Sequence, residues 1–169
     1  MSITRVLGID PGLHRTGWGV VEFRSGLLRF IGCGLIKTKP VETTAKRLVQ
    51  IDAGLADVLR DYGVDEAAVE ETFVNQNPAS ALKLGQARGV CLMSAARTGI
   101  DVGEYAPTVI KKSVVGTGRA SKDQMGMMVK TLLPAIGKIS EDEADALAVA
   151  ICHGHHIQSR LIAHNKQVF

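Results

Sequence analysis

Four carboxylates stand where elementary chain geometry would turn them toward one place. Asp10 follows the apolar run Arg5–Ile9 and opens the turn Asp10-Pro11-Gly12. Glu70 follows a second short run, Glu66–Val69, in the same way. Asp142 and Asp145 are three apart and share one face if their segment is helical. Helix is well signalled there, because Ser140-Glu141-Asp142-Glu143 is an S-x-x-E capping box directly before an apolar stretch. Asp142 then lies in the first turn, where the helix dipole favours negative charge. Asp145 interrupts the otherwise apolar segment Ala144–Ala150, with no basic residue beside it in sequence. A buried carboxylate so placed takes up a proton or a cation. Alone, each acid has a plainer reading: Asp10 as a turn residue, Asp142 as a favourable first-turn charge. Converging at about 4 Å they would repel by roughly 4 kcal/mol per pair at an effective dielectric of 20. Such a cluster is tolerable only around divalent cations, and hard oxygen ligands select magnesium, with manganese able to substitute. Two such ions about 4 Å apart would suit in-line attack of water on a phosphodiester.

Basic residues supply the complementary half. Between Tyr105 and Lys130 stand Lys111, Lys112, Arg119, Lys122 and Lys130 against Asp123 alone. The segment Gly116–Lys122 reads as a flexible basic loop able to follow a phosphate backbone, although an ordinary solvated face has the same composition. His153, His155 and His156 read as a cluster at the C-terminal end of the last helix, away from the acids. Ala81, Gly85 and Gly89 recur every four residues and give one helix a smooth strip. That strip suits either the chain's own sheet or a second helix in a dimer. Phe73, three residues after Glu70 in a polar loop, would cover a core edge or stand beside the site.

These residues need elements to hold them. Arg5–Ile9, Gly17–Phe23 and Leu27–Ile36 are predicted strands joined by short turns, hence an antiparallel meander. Thr43 or Thr44 caps a helix to about Asp61, with Leu48, Ile51, Leu55, Val58 and Leu59 on one face. A strand at Glu66–Val69 follows, then a helix opened by Asn77-Pro78 and running to about Arg97. After a strand at Ile100–Glu104 the remainder is helical, interrupted by Gly116–Gly118 and by Pro134–Lys138. The order describes a mixed α/β sandwich.

Bulk composition agrees. The chain has 169 residues, 46% of them hydrophobic and 22% charged, which suits one folded domain over residues 1–169 and excludes a disordered tail protein. Its net charge of +3 is uninformative about partners. Three scattered cysteines argue against a disulfide framework and against a cysteine–zinc site. The opening MSITRVLGIDPG lacks an apolar core for a signal peptide, and no apolar run spans a membrane. A soluble, cytoplasmic protein is expected.

Taken together, LGIDPG (7–12), TGWGVV (16–21), VEETFVNQNPASALKLGQARGV (69–90), EYAPTVIKKSVVGTGRASK (104–122) and DEADALAVAI (142–151) resemble the RuvC family of Holliday-junction resolvases. The resemblance implies a ribonuclease H-like mixed five-stranded sheet flanked by helices. It implies a homodimer that makes paired, magnesium-dependent nicks in four-way DNA, in cooperation with a branch-migration complex. It also implies catalytic, metal-holding roles for Asp10, Glu70, Asp142 and Asp145, functional lysines at Lys111 and Lys122, and a junction-probing aromatic at Phe73. Two other readings compete. Asp10-x-Gly12 with Gly17 and Gly19 is similar to the phosphate loop of actin-like and sugar-kinase ATPases, which need two such domains around a nucleotide. A non-catalytic junction-binding dimer would be expected to lack at least one of the acids, and all four are present.

Overall fold

The computed structural model describes residues 3–24, 26–71 and 77–166, with side chains through residue 160. The elements run β1 (Ile3–Asp10), β2 (Arg15–Arg24), β3 (Leu27–Lys37), α1 (Thr44–Tyr62), β4 (Glu66–Glu70), α2 (Pro78–Ala96), β5 (Asp101–Tyr105), α3 (Pro107–Val115), α4 (Lys122–Leu132) and α5 (Glu141–Lys166). One mixed sheet has the order β3-β2-β1-β4-β5. The meander is antiparallel, whereas β1, β4 and β5 run parallel. This is the flanked five-stranded sheet that the ribonuclease H-like resemblance implies.

Strand alternation divides the core. Leu7, Ile9, Val20, Ala67 and Val69 pack with Ile51 and Leu55 of α1 and Cys91 of α2. Val6, Val21 and Ala68 point the other way, onto α3, α4 and α5. The second face is where the acids collect. Period-2 alternation from Val6 carries Gly8 and then Asp10 to the α5 side, and from Ala68 it carries Glu66 and Glu70 there too.

Helix α5 lies unusually close to the sheet, and two glycines permit it. A Cβ on Gly8 would stand 2.0 Å from the Ala146 carbonyl oxygen. One on Gly17 would stand 2.2 Å from the Asp142 carbonyl oxygen. The N-terminal half of α5 therefore rests directly on β1 and β2.

Two sequence expectations change. The histidines do not end a helix: α5 continues through all three, because nothing in His153–Lys166 breaks it and the ring of Phe23 packs against Gly154. His153 is buried, with Nε2 3.0 Å from Glu66 and Nδ1 2.8 Å from the Tyr105 hydroxyl. Nor is Lys122 in a loop. It is the first residue of α4, whose N-cap Ser121 and Gln124 form a reciprocal capping box.

Candidate active site

Asp10 and Glu70 end adjacent parallel strands, with Ile9 beside Val69 in register, so the two carboxyls emerge side by side. The C-terminal edge of parallel strands, where the order reverses about β1, is where open α/β sheets bind ligands. Asp142 and Asp145 arrive from above on the first turns of α5. Ser140 donates its Oγ–H to Glu143, while Glu143 accepts the Ser140 N–H at 2.7 Å, so the capping box fixes that end. Arg88 of α2 fixes the other side: its Nε donates to the Glu70 carbonyl at 3.2 Å, and its guanidinium pairs with Glu104 of β5.

The electrostatics match the crowding. Burial, then the negative charge of Glu70, Asp145 and Asp142, pushes the Asp10 carboxyl up to about 8. Glu70 is pushed up to about 7, by burial first and then by Asp145, against the pull of Lys111 and Lys122. Asp145 is raised by burial, with Lys122 opposing. Among the described residues these donors are not closed into a ready-made ligand cage. Their chemistry nevertheless fits hard divalent cations: four half-buried carboxylates hold more negative charge at one edge than desolvation and mutual repulsion favour.

Beside them opens a cleft of about 190 Å³ lined by Glu70, Pro107, Ile110, Lys111, Lys122, Met125, Asp145 and Ala148. Space thus provides what sequence adjacency did not, since Asp145 has its basic neighbours on α3 and α4. Lys122 also pairs with Glu141 at 3.0 Å, in solvent. Lys112 points elsewhere, into a groove on the far side of α3 with His155, His156 and Ser159. Arg119 is exposed in the α3–α4 connection. Phe73 lies outside the described residues. On α2, Ala87, Cys91, Ser94 and Ala95 face inward, while a Cβ at Gly85 or Gly89 would meet nothing within 4 Å. Leu82 and Met93, 65% and 47% exposed, lie on that same outward face. One residue of the site was missed. Arg15 at the start of β2 brings Nε to 3.5 Å from Asp142 Oδ2, and only the β1–β2 register reveals that approach.

The raised carboxyls set a pH dependence. An acid whose folded value exceeds its unfolded value, near 4, holds a proton that the unfolded chain has already released. Stability without divalent cations should therefore fall as pH rises from about 4 to about 8. His153 and His155, whose burial favours the neutral ring, oppose this at the acidic end. Thermal unfolding in EDTA of wild type and Asp10→Asn isolates the acid: the variant should show the shallower decline and be the more stable at pH 8.

A profile of the family described as "Crossover junction endodeoxyribonuclease RuvC" matches residues 6–153. The protein of that name from Paramagnetospirillum magneticum is 59% identical over 152 residues, covering 90% of this chain and 92% of the relative. Its counterpart from Rhodopseudomonas palustris is 56% identical, covering 90% and 87%. The solved structure of Thermus thermophilus RuvC in complex with a Holliday junction substrate superposes with a TM-score of 0.86 at 32% identity, covering 92% of this chain and 96% of that one. The yeast mitochondrial Holliday junction resolvase, at 14% identity and a TM-score of 0.64, shares the fold. Among the described residues no helix is long and apolar enough to cross a membrane. With the family profile spanning most of the chain and relatives this similar, the protein belongs to the RuvC family of crossover junction endodeoxyribonucleases.

Proposed function

We propose that the chain resolves four-way DNA junctions as a homodimer, each subunit nicking one of two symmetry-related strands with divalent metal. The observation that carries this is the carboxylate group at the ends of β1 and β4 under the first turns of α5, with Lys111 and Lys122 at its rim. Asp10, Glu70, Asp142 and Asp145 would hold magnesium, two ions per subunit, or manganese in its place. When bound, these ions would supply Lewis-acid activation of water and of the phosphodiester. The chain's own residues then do the rest. Lys111 and Lys122 bind and orient the strand, the Arg88 contact keeps Glu70 in position, and the capping box keeps Asp142 and Asp145 turned toward the sheet. Arg119 extends the basic surface, Lys112 stands apart on the far side of α3, and Phe73 probes the junction centre. The resemblance to the family implies cooperation with a branch-migration complex, the expected partner.

Incubating the protein with a labelled junction and Mg²⁺ tests the reading. Paired nicks at symmetry-related positions support it. Equal cutting of linear duplex, or none of the junction, overturns it. Lys111→Ala and Lys122→Ala should each slow cleavage and reduce the salt slope of junction binding by about one unit. A solvated face would leave both unchanged.

The outward strip of α2 supports the dimer. An exposed apolar helix face with no side chains at Gly85 and Gly89 lets a second backbone approach closely, and a junction's two-fold symmetry asks for two sites. Gly85→Leu should shift the protein toward monomer in sedimentation and uncouple the two nicks. A fully dimeric, wild-type-like Gly85→Leu would move the interface elsewhere.

A further inference from the structure

Arg15 lies on the α5 side of β2, two residues before Gly17, which is paired with Asp10. Its Nε stands 3.5 Å from Asp142 Oδ2, with the Arg15 side chain 55% exposed and that of Asp142 32% exposed. In the sheet, β2 and β4 flank β1 on opposite sides. Arg15 therefore borders the acids on one bank, while Lys111 and Lys122 border them beside Glu70 on the other. A strand crossing the acids would meet positive charge on both.

We propose that Arg15 is a displaceable counter-ion: it holds Asp142 until a divalent cation takes that carboxylate, and then turns its guanidinium to a phosphate of the DNA strand at the rim. Guanidinium geometry suits carboxylate and phosphate alike. The pair is also weak enough to yield. An ion pair this exposed changes an affinity by only about two- to fivefold, whereas the cation collects several carboxylates at once. The exchange would bias the order of events, since Asp142 competes with phosphate for Arg15 until a cation occupies it. Arg15 is a positioning residue here, touching a metal ligand in one state and the strand backbone in the other.

This inference rests on the metal-site reading above, and its test separates the two. Mn²⁺ binding to the full chain without DNA is counted by the EPR signal of the free ion. Junction affinity is measured across a salt series, once in EDTA and once in Ca²⁺. Arg15→Gln should bind Mn²⁺ about two- to fivefold more tightly than wild type, because a competitor has gone. In Ca²⁺ the variant's salt slope should be smaller than that of wild type by about one unit, and in EDTA the difference should be clearly less. Unchanged Mn²⁺ affinity, or an equal slope change in EDTA and Ca²⁺, overturns the exchange and leaves Arg15 a plain surface or phosphate contact. If wild type itself fails to bind Mn²⁺, or Asp142→Asn binds it as well as wild type does, the metal-site reading falls and the exchange with it.

Discussion

Asp10→Asn, Glu70→Gln, Asp142→Asn and Asp145→Asn should each slow junction cleavage by more than about a hundredfold, while junction binding stays within a few fold. Loss of groups that merely support metal ligands already costs about 10–100-fold, so loss of a ligand should cost more. Binding should survive because in the proposed function the phosphate contacts come from Lys111, Lys122 and their neighbours, not from the acids. The amides are nearly isosteric, so packing is kept. At Asp10, Glu70 and Asp145, whose carboxyls burial raises, removing the negative charge should even steady the metal-free fold at pH 8, most clearly for Asp10. Those three variants thus separate activity from stability in opposite directions, which a simple folding defect cannot do. Calcium should support binding without cutting in the wild type, because its looser coordination positions water poorly. An amide variant that cuts within a few fold of wild type would remove that residue from the site.

Much of this arrangement is legible along the chain because it is written in local signals. Asp10 and Glu70 each close a short apolar strand, and the S-x-x-E box places Asp142 and Asp145 on one helix face. Asn77-Pro78 announces α2 and Thr43 caps α1. What stays hidden depends on register and on contacts between elements. The 3.5 Å approach of Arg15 to Asp142 requires knowing that β2 pairs back along β1. The burial of His153 against Glu66 and Tyr105 requires α5 to run on across β4 and β5. In isolation, three clustered histidines after an apolar stretch look like the end of a helix. Ser121 and Gln124 did carry a local signal for the start of α4, but two glycines just upstream in a basic segment suggest a loop. The outward direction of Gly85 and Gly89 is likewise undecidable from spacing, since α2 is apolar on more than one side.

The close seat of α5 on the sheet makes Gly8→Ala a severely damaging single-methyl change. Its Cβ would lie 2.0 Å from the Ala146 carbonyl oxygen and 2.4 Å from the Ala150 nitrogen. Both are backbone atoms within a continuous helix, so no rotamer change relieves the clash. Strand and helix must separate instead. Replacing glycine with alanine normally stabilises by about 0.4–1 kcal/mol where the conformation allows it, but overpacking a tight core costs about 1–3 kcal/mol and sometimes more. Steric cost should win here, giving a loss of about 3 kcal/mol, or a melting temperature lower by about 6–12 °C for a chain of this size. The same separation moves Asp142 and Asp145 away from Asp10, only two residues beyond Gly8. Cleavage measured well below the melting point should therefore fall by more than the unfolded fraction explains, and raising Mg²⁺ should recover part of it. Gly126→Ala on α4 is the matched control, because a Cβ there meets nothing within 4 Å. It should be neutral or slightly stabilising, with cleavage unchanged. A Gly8→Ala protein that melts and cuts like wild type would mean that α5 does not rest on β1 as closely as its carbonyls indicate.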